Sequence, residues 1–352
     1  MFLATLFATA LLVTPAAHAV EITWVGGGHA SNPQWSPDGS WLAFEVNNNS
    51  DKVDLYVVRV QNGNPGAATK VVIPGSSSSF SATGSYAANP NWHPKGPVIF
   101  EAANSGGLTR LYYLQPGGSS PAEYLNITQA PGNLSWPTVS PDGTNLAYTS
   151  SATGSGDIYL FSTQTSKSAV TTSTGLPENA PRFSPDGKTL VFSRKSQQTE
   201  DVFTWEQGAT AQVPLKGGPG DQSRPRYAGD KVVYFTNERG DDHWDVGVVP
   251  AVAGASSTTV AKDIRLPLRS QPQLTPDGTA VIWTSIAPNT DSLVYVTKLD
   301  GSGTKQIDTK LTAVGDAAIS TSGGRMFLAF TALPNSGSDW RQLHVVDITG
   351  QI

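Results

Sequence analysis

One pattern returns along this chain, and its return restricts the fold more than any other feature. Asn32-Pro33-Gln34-Trp35-Ser36-Pro37-Asp38-Gly39 is followed by Asn89-Pro90-Asn91-Trp92-His93-Pro94-Lys95-Gly96 and then by Trp136-Pro137-Thr138-Val139-Ser140-Pro141-Asp142-Gly143. Ala180-Pro181-Arg182-Phe183-Ser184-Pro185-Asp186-Gly187 and Gln271-Pro272-Gln273-Leu274-Thr275-Pro276-Asp277-Gly278 keep it intact. Arg224-Pro225-Arg226-Tyr227 has a degenerate turn, Ala228-Gly229-Asp230, and Asp316-Ala317-Ala318-Ile319-Ser320-Thr321-Ser322-Gly323 is a faded last copy. The marker falls at 33, 90, 137, 181, 225, 272 and 317, so the seven copies are spaced by 57, 47, 44, 44, 47 and 45 residues. A unit of this length cannot bury a face alone and must stack on its neighbours.

Each unit reads as four short strands. The x-Pro-x-Trp piece is the first, and Ser-Pro-Asp-Gly turns it into a second of β-branched and aromatic residues, such as Trp41-Leu42-Ala43-Phe44 or Leu190-Val191-Phe192. Pro presets φ at the first corner, Asp bonds local backbone groups, and Gly takes the left-handed corner. A polar loop leads to a third strand, for example Leu55-Tyr56-Val57-Val58, and a weaker, more polar fourth follows, as in Lys70-Val71-Val72-Ile73, Tyr124-Leu125-Asn126-Ile127 and Gln306-Ile307-Asp308. Four strands per mid-forties repeat predict an all-β, seven-bladed β-propeller. The last copy ends at Ile352 without a fourth strand, and Glu21-Ile22-Thr23-Trp24-Val25 is expected to supply it and close the ring.

The repeat x-Pro-x-Trp-Ser-Pro-Asp-Gly-x-x-x-Ala-Phe, with Asp-Leu-Tyr-Val-Val after the next loop, resembles the TolB-type, WD40-like (PD40) propeller repeat. The likeness covers residues 21 to 352 and none of the α/β domain that precedes the propeller in TolB. It implies a propeller of six or seven blades, which leaves a six-bladed ring as the alternative. Related propellers also occur on prolyl-oligopeptidase-type hydrolases, for whose catalytic domain this sequence has no counterpart.

Residues 1 to 19 read as a secretory signal, an apolar run ending in Ala17-His18-Ala19, with the propeller domain spanning 20 to 352. A periplasmic or secreted bacterial protein is the expectation. Charged residues make up 14% of the chain, with 35 Gly and 25 Pro, a composition suited to short strands and turns. The net charge of -5 gives no footprint for nucleic acid or an anionic membrane, and no later run is apolar enough for a membrane span. Without cysteine there are no disulfides or thiolate sites.

Chemistry-bearing motifs are scarce. Gly154-Ser155-Gly156 and Gly301-Ser302-Gly303 are loop pieces without the strand-to-helix elbow a serine nucleophile needs. His29, His93, His243 and His344 occupy four different repeat positions, which the ring does not superpose, so no metal site is expected. The cluster Glu238 to Asp245 has enough acidic oxygens for calcium but not the register of a known loop, and it reads as a solvated loop. No cofactor is expected.

The residues after the markers should approach the central channel: Gln34, Asn91, Thr138, Arg182, Arg226, Gln273 and Ala318. With Arg194 and Arg224 nearby, the fourth and fifth blades would bias one side of the channel mouth toward anions, such as the carboxylate of a peptide or an acidic glycan. The competing reading pairs these arginines with acids of adjacent blades. The long loops on the face of the inter-blade links are a second recognition surface. The sequence therefore points to a monomeric, non-catalytic propeller that binds a protein or peptide, an envelope complex included. The alternative is a polysaccharide lyase or other glycan-active propeller enzyme with its site in the channel.

Overall fold

The computed structural model describes residues 18–24, 27–47, 52–73, 86–103, 107–118, 120–124, 132–171, 173–240, 242–267, 269–286, 292–312, 314–333 and 339–352. Residues 1–17 of the proposed signal and parts of the long loops, 48–51 and 334–338 among them, lie outside the described set.

Seven antiparallel sheets follow one another around a ring. The innermost strands are His29–Trp35, Ala87–Trp92, Leu134–Val139, Glu178–Phe183, Gln222–Ala228, Gln273–Leu274 and Ala317–Ser322. Six of them hold their copy of the marker, and in the sixth blade Pro272 immediately precedes the strand. Among the described residues the single helical piece is a 3-10 turn at Ser151–Thr153.

The seventh blade is completed by Val20–Ile22, which pairs antiparallel with Gln342–Asp347 in the register Val20↔Val345, Glu21↔His344 and Ile22↔Leu343. The closing strand thus starts one residue earlier than the sequence suggests and ends at Ile22. Trp24 leaves it to stand edge-on to Phe44 of the first blade, ring centroids 5.6 Å apart. Two outer strands lie upstream of their expected places: the first blade uses Asn64–Pro65 and Thr69–Lys70, and the sixth Thr304–Ile307. In the second blade Ala122–Glu123 forms the outer strand, and 125–127 of the expected stretch lie outside the described residues. These edges are short and polar, so hydrophobic alternation marks them poorly.

The Ser-Pro-Asp-Gly stretch is a self-bonded joint. Asp38 Oδ1 accepts from Ser36 Oγ at 2.6 Å and from the Ser40 N–H at 3.1 Å, while Ser36 Oγ accepts the Trp41 N–H at 2.9 Å. Asp142, Asp186 and Asp277 repeat this with Ser140, Ser184 and Thr275. These bonds favour the ionised carboxylate, and those to Ser140 and Thr144 hold Asp142 down to about 2.

The core lies between blades. Ala43, Leu55 and Val57 of the first blade pack with Trp92, Phe100 and Tyr112 of the second, and comparable clusters fill the other junctions. Stacked rings such as Phe44–Tyr56, Phe100–Tyr112 and Tyr148–Tyr159 sit at matching repeat positions.

Candidate functional site: the central channel

The marker proline explains the channel wall. Proline has no N–H for the ladder, so it is tolerated where a bulge interrupts pairing. The inner strands of the first five blades are bulged there, between Ser31 and Gln34, Ala88 and Asn91, Ser135 and Thr138, Asn179 and Arg182, and Ser223 and Arg226. The residue before each proline is left-handed: Asn32, Asn89, Trp136, Ala180 and Arg224 have φ between 48° and 53°. In four of the five its N–H is tied to the preceding blade. Asn32 donates to Asp316 Oδ2 at 2.7 Å, Asn89 to Glu45 Oε1 at 2.8 Å, Trp136 to Glu101 Oε2 at 2.7 Å, and Arg224 to Ser193 Oγ at 2.8 Å.

Sequence reasoning missed these staples, although a signal was present. The residue after the aromatic of the second strand is polar in six copies: Glu45, Glu101, Thr149, Ser193, Thr284 and Thr331. Glu45 and Glu101 are buried, and burial pushes both carboxyls above the usual range. Arg269, Asn32 and the Asn89 N–H pull Glu45 back, as Tyr86, Asn89 and the Trp136 N–H do for Glu101.

Past the bulge, Gln34, Asn91, Thr138, Arg182, Arg226 and Gln273 are brought together around one cavity of about 290 Å³. It extends from the level of Asn89 and Trp136 to Pro141 and Pro185 in the turns. Ala318 contributes only its carbonyl to the wall structure, accepting from Trp35 Nε1 at 3.2 Å. The remaining two predicted arginines are placed elsewhere. Arg194 lies over the Phe203 ring, 3.4 Å from its centroid, and donates to Gln212. Arg224 turns toward the link face, donating to the Pro267 and Ser270 carbonyls at 2.6 and 3.1 Å.

That link, between the fifth and sixth blades, crosses the channel. Arg269 Nη1 reaches Glu45 Oε2 of the first blade at 2.9 Å, and Gln271 Nε2 reaches the Ala180 carbonyl of the fourth at 3.0 Å. With Ser270 and Gln271 in its lining, the cavity is capped on the link side and approached from the turn side.

The electrostatics of the cavity are one-sided. Among the described residues, three arginines and no carboxylate line it. Arg269 is paired with Glu45. Arg182 donates to the Pro181 carbonyl at 3.0 Å and Arg226 to the Pro272 carbonyl at 3.4 Å, and among the described residues neither forms an ion pair. Among the described residues, then, neither side chain adopts the ion-pairing alternative. Burial, and then the charge of Arg226, bring Arg182 down to about 9, and burial lowers Arg226 as well.

The histidines have four separate surroundings. His29 meets Trp340 edge-on, His93 accepts the Lys95 N–H, His243 sits 2.8 Å from Asp263, and His344 is buried against Phe330. In the acidic loop, Arg239 binds Asp245 and Asp263, and Lys216 binds Glu238, so Asp245 and Glu238 face cations. Among the described residues no three His, Asp or Glu side chains are grouped to hold a metal ion, and no helix is long and apolar enough to cross a membrane.

A family profile described as the TolB beta propeller domain matches residues 122–352. Over 183 residues the chain is 27% identical to an uncharacterized peptidase, YuxL, of Bacillus subtilis, covering 52% of this chain and 24% of that protein. The chain thus spans about a quarter of that relative's length. Superposition on TolB from Acinetobacter baumannii gives a TM-score of 0.55 at 14% identity, covering 90% of this chain and 66% of the other. Oligogalacturonate lyase in complex with manganese superposes with a TM-score of 0.62 at 12% identity, covering 94% and 96%. Identities this low establish a shared propeller fold.

Proposed function

The chain belongs to the TolB β-propeller family, and from that premise we propose that it is a non-catalytic binding module that takes a carboxylate of a protein or peptide partner into its central channel. One observation carries this reading. Arg182 and Arg226, on adjacent blades, line the same cavity with only carbonyl oxygens as partners among the described residues. Desolvated guanidiniums without an acid are costly, and a bidentate carboxylate relieves that cost. The leader-like residues 1–19 support a periplasmic or secreted setting for the partner.

The test is capture of partners from envelope extract on immobilised protein, in wild-type and Arg182→Glu/Arg226→Glu forms. Loss of the captured protein from the double variant is expected. Equal capture by both forms overturns the reading.

A second reading, a glycan-active enzyme, is favoured by the whole-chain superposition on a lyase propeller and by the Trp136 indole in the cavity lining. Its mark would be turnover of an acidic oligosaccharide that the double variant abolishes.

A further inference from the structure

Building on the channel as a carboxylate site, we propose that the group it receives is the C-terminal carboxylate of the partner's chain, inserted from the face of the Ser-Pro-Asp-Gly turns. The cavity ends against the link that carries Arg269 and Gln271, held to the first and fourth blades. A polypeptide cannot thread through such a cavity. It has to end inside or turn back, and turning back brings two strands of chain through one mouth.

The polar atoms of the cavity select the end that enters. The guanidiniums of Arg182 and Arg226 have only carbonyl partners among the described residues and call for an anion. Among the described residues the lining contains no carboxylate, and Glu45 behind it is already paired with Arg269. A cationic donor would therefore enter among guanidiniums with nothing to balance it, which excludes a chain's N-terminal ammonium. A C-terminus has the required chemistry, an anion for Arg182 and Arg226 at the very end of a chain that has no way through. The Trp136 indole in the same lining offers an apolar face to the terminal side chain.

The experiment uses the immobilised full propeller and two pools of random-sequence hexapeptides, alike except that one ends in a free carboxylate and the other in a carboxamide. The free-acid pool should be retained about tenfold or more over the amide pool, a factor within reach of one charge-assisted contact. Arg182→Met/Arg226→Met should erase the preference. Arg182→Lys/Arg226→Lys, which keeps the charge but not the planar fork, should retain part of it. Equal retention of the two pools, retention of neither, a preference that survives the Met variant, or displacement of the acid pool by an equal concentration of acetate each overturns the proposal. If the pools bind alike while the Arg182→Glu/Arg226→Glu variant still loses the protein captured from extract, the channel reading stands and the terminal assignment alone falls. Retention of galacturonate in place of either pool would assign the site to a sugar acid.

Discussion

Arg269 and Glu45 stand 224 positions apart in the chain and meet with Nη1 2.9 Å from Oε2. The bond ties the link between the fifth and sixth blades to the first blade and caps the channel. Glu45 is fully buried and also holds the Asn32 amide and the Asn89 N–H. Arg269→Met leaves that carboxylate without its cation and should cost about 2–4 kcal/mol. In a Glu45→Gln background the same substitution should cost clearly less. Urea unfolding of the four proteins forms a double-mutant cycle, and a coupling energy near zero would show that the pair does not stabilise the ring.

Two glycines at the same turn position make a second comparison. Gly39 and Gly278 have φ of 67° and 70°. A Cβ on Gly39 would come within 2.7 Å of the Thr321 carbonyl of the seventh blade, whereas one on Gly278 meets nothing within 4 Å. Gly278→Ala should cost only the left-handed penalty, about 1–2 kcal/mol. Gly39→Ala adds a clash with backbone and should lower the melting temperature at least twice as far. Equal losses would mean that the Gly39 turn can move away from its neighbour.

These joints were legible in the sequence because Pro, Asp and Gly act within four residues of one another. Counting them located seven blades, and the position after each marker identified Arg182 and Arg226 as channel residues. Proximity in sequence failed for Arg194 and Arg224. Arg224 occupies the left-handed position before proline, which turns it to the link, and Arg194 leaves its strand toward Phe203 and Gln212. Arg269 carried no readable signal, since links have no fixed place in the repeat and its partner is on the opposite side of the ring. The polar residue that staples one blade to the next was periodic, but a buried Glu within an apolar strand has no local reason to be there.

His344 makes stability depend on pH in a defined direction. It is buried in the third strand of the last blade, stacked on Phe330, with Nε2 unpartnered, and burial pushes it down to about 4. The unfolded chain therefore binds this proton more readily than the folded one. The neutral ring's contribution is complete above about 6.5 and is lost as pH falls toward 4, on the order of 3 kcal/mol in all. Other groups titrate in the same range, so the readout is a difference: His344→Phe should lose less stability than wild type between pH 7 and pH 4.5 in urea unfolding. Parallel losses would show that the ring is free to leave its site and take up a proton.

The two unpaired channel arginines predict a protein that is more stable when they are removed. With Arg182 lowered to about 9 and Arg226 lowered by burial, each guanidinium is kept charged at neutral pH against the preference of its surroundings. Replacing Arg182 by Met should raise resting stability by about 1 kcal/mol, the gain expected when a desolvated charge gives way to an apolar side chain of similar length. It should also flatten the rise in stability that Arg182 gives above pH 9, where the folded protein releases a proton that the unfolded chain still holds. A carboxylate ligand should act on the wild type alone. Citrate at ten times its dissociation constant stabilises a protein with one site by about 1.4 kcal/mol, so thermal unfolding with citrate should raise the midpoint of the wild type and leave Arg182→Met/Arg226→Met nearly unmoved. If the variant is less stable than wild type without ligand, or responds equally to citrate, these arginines support the wall of the channel instead of waiting for an anion.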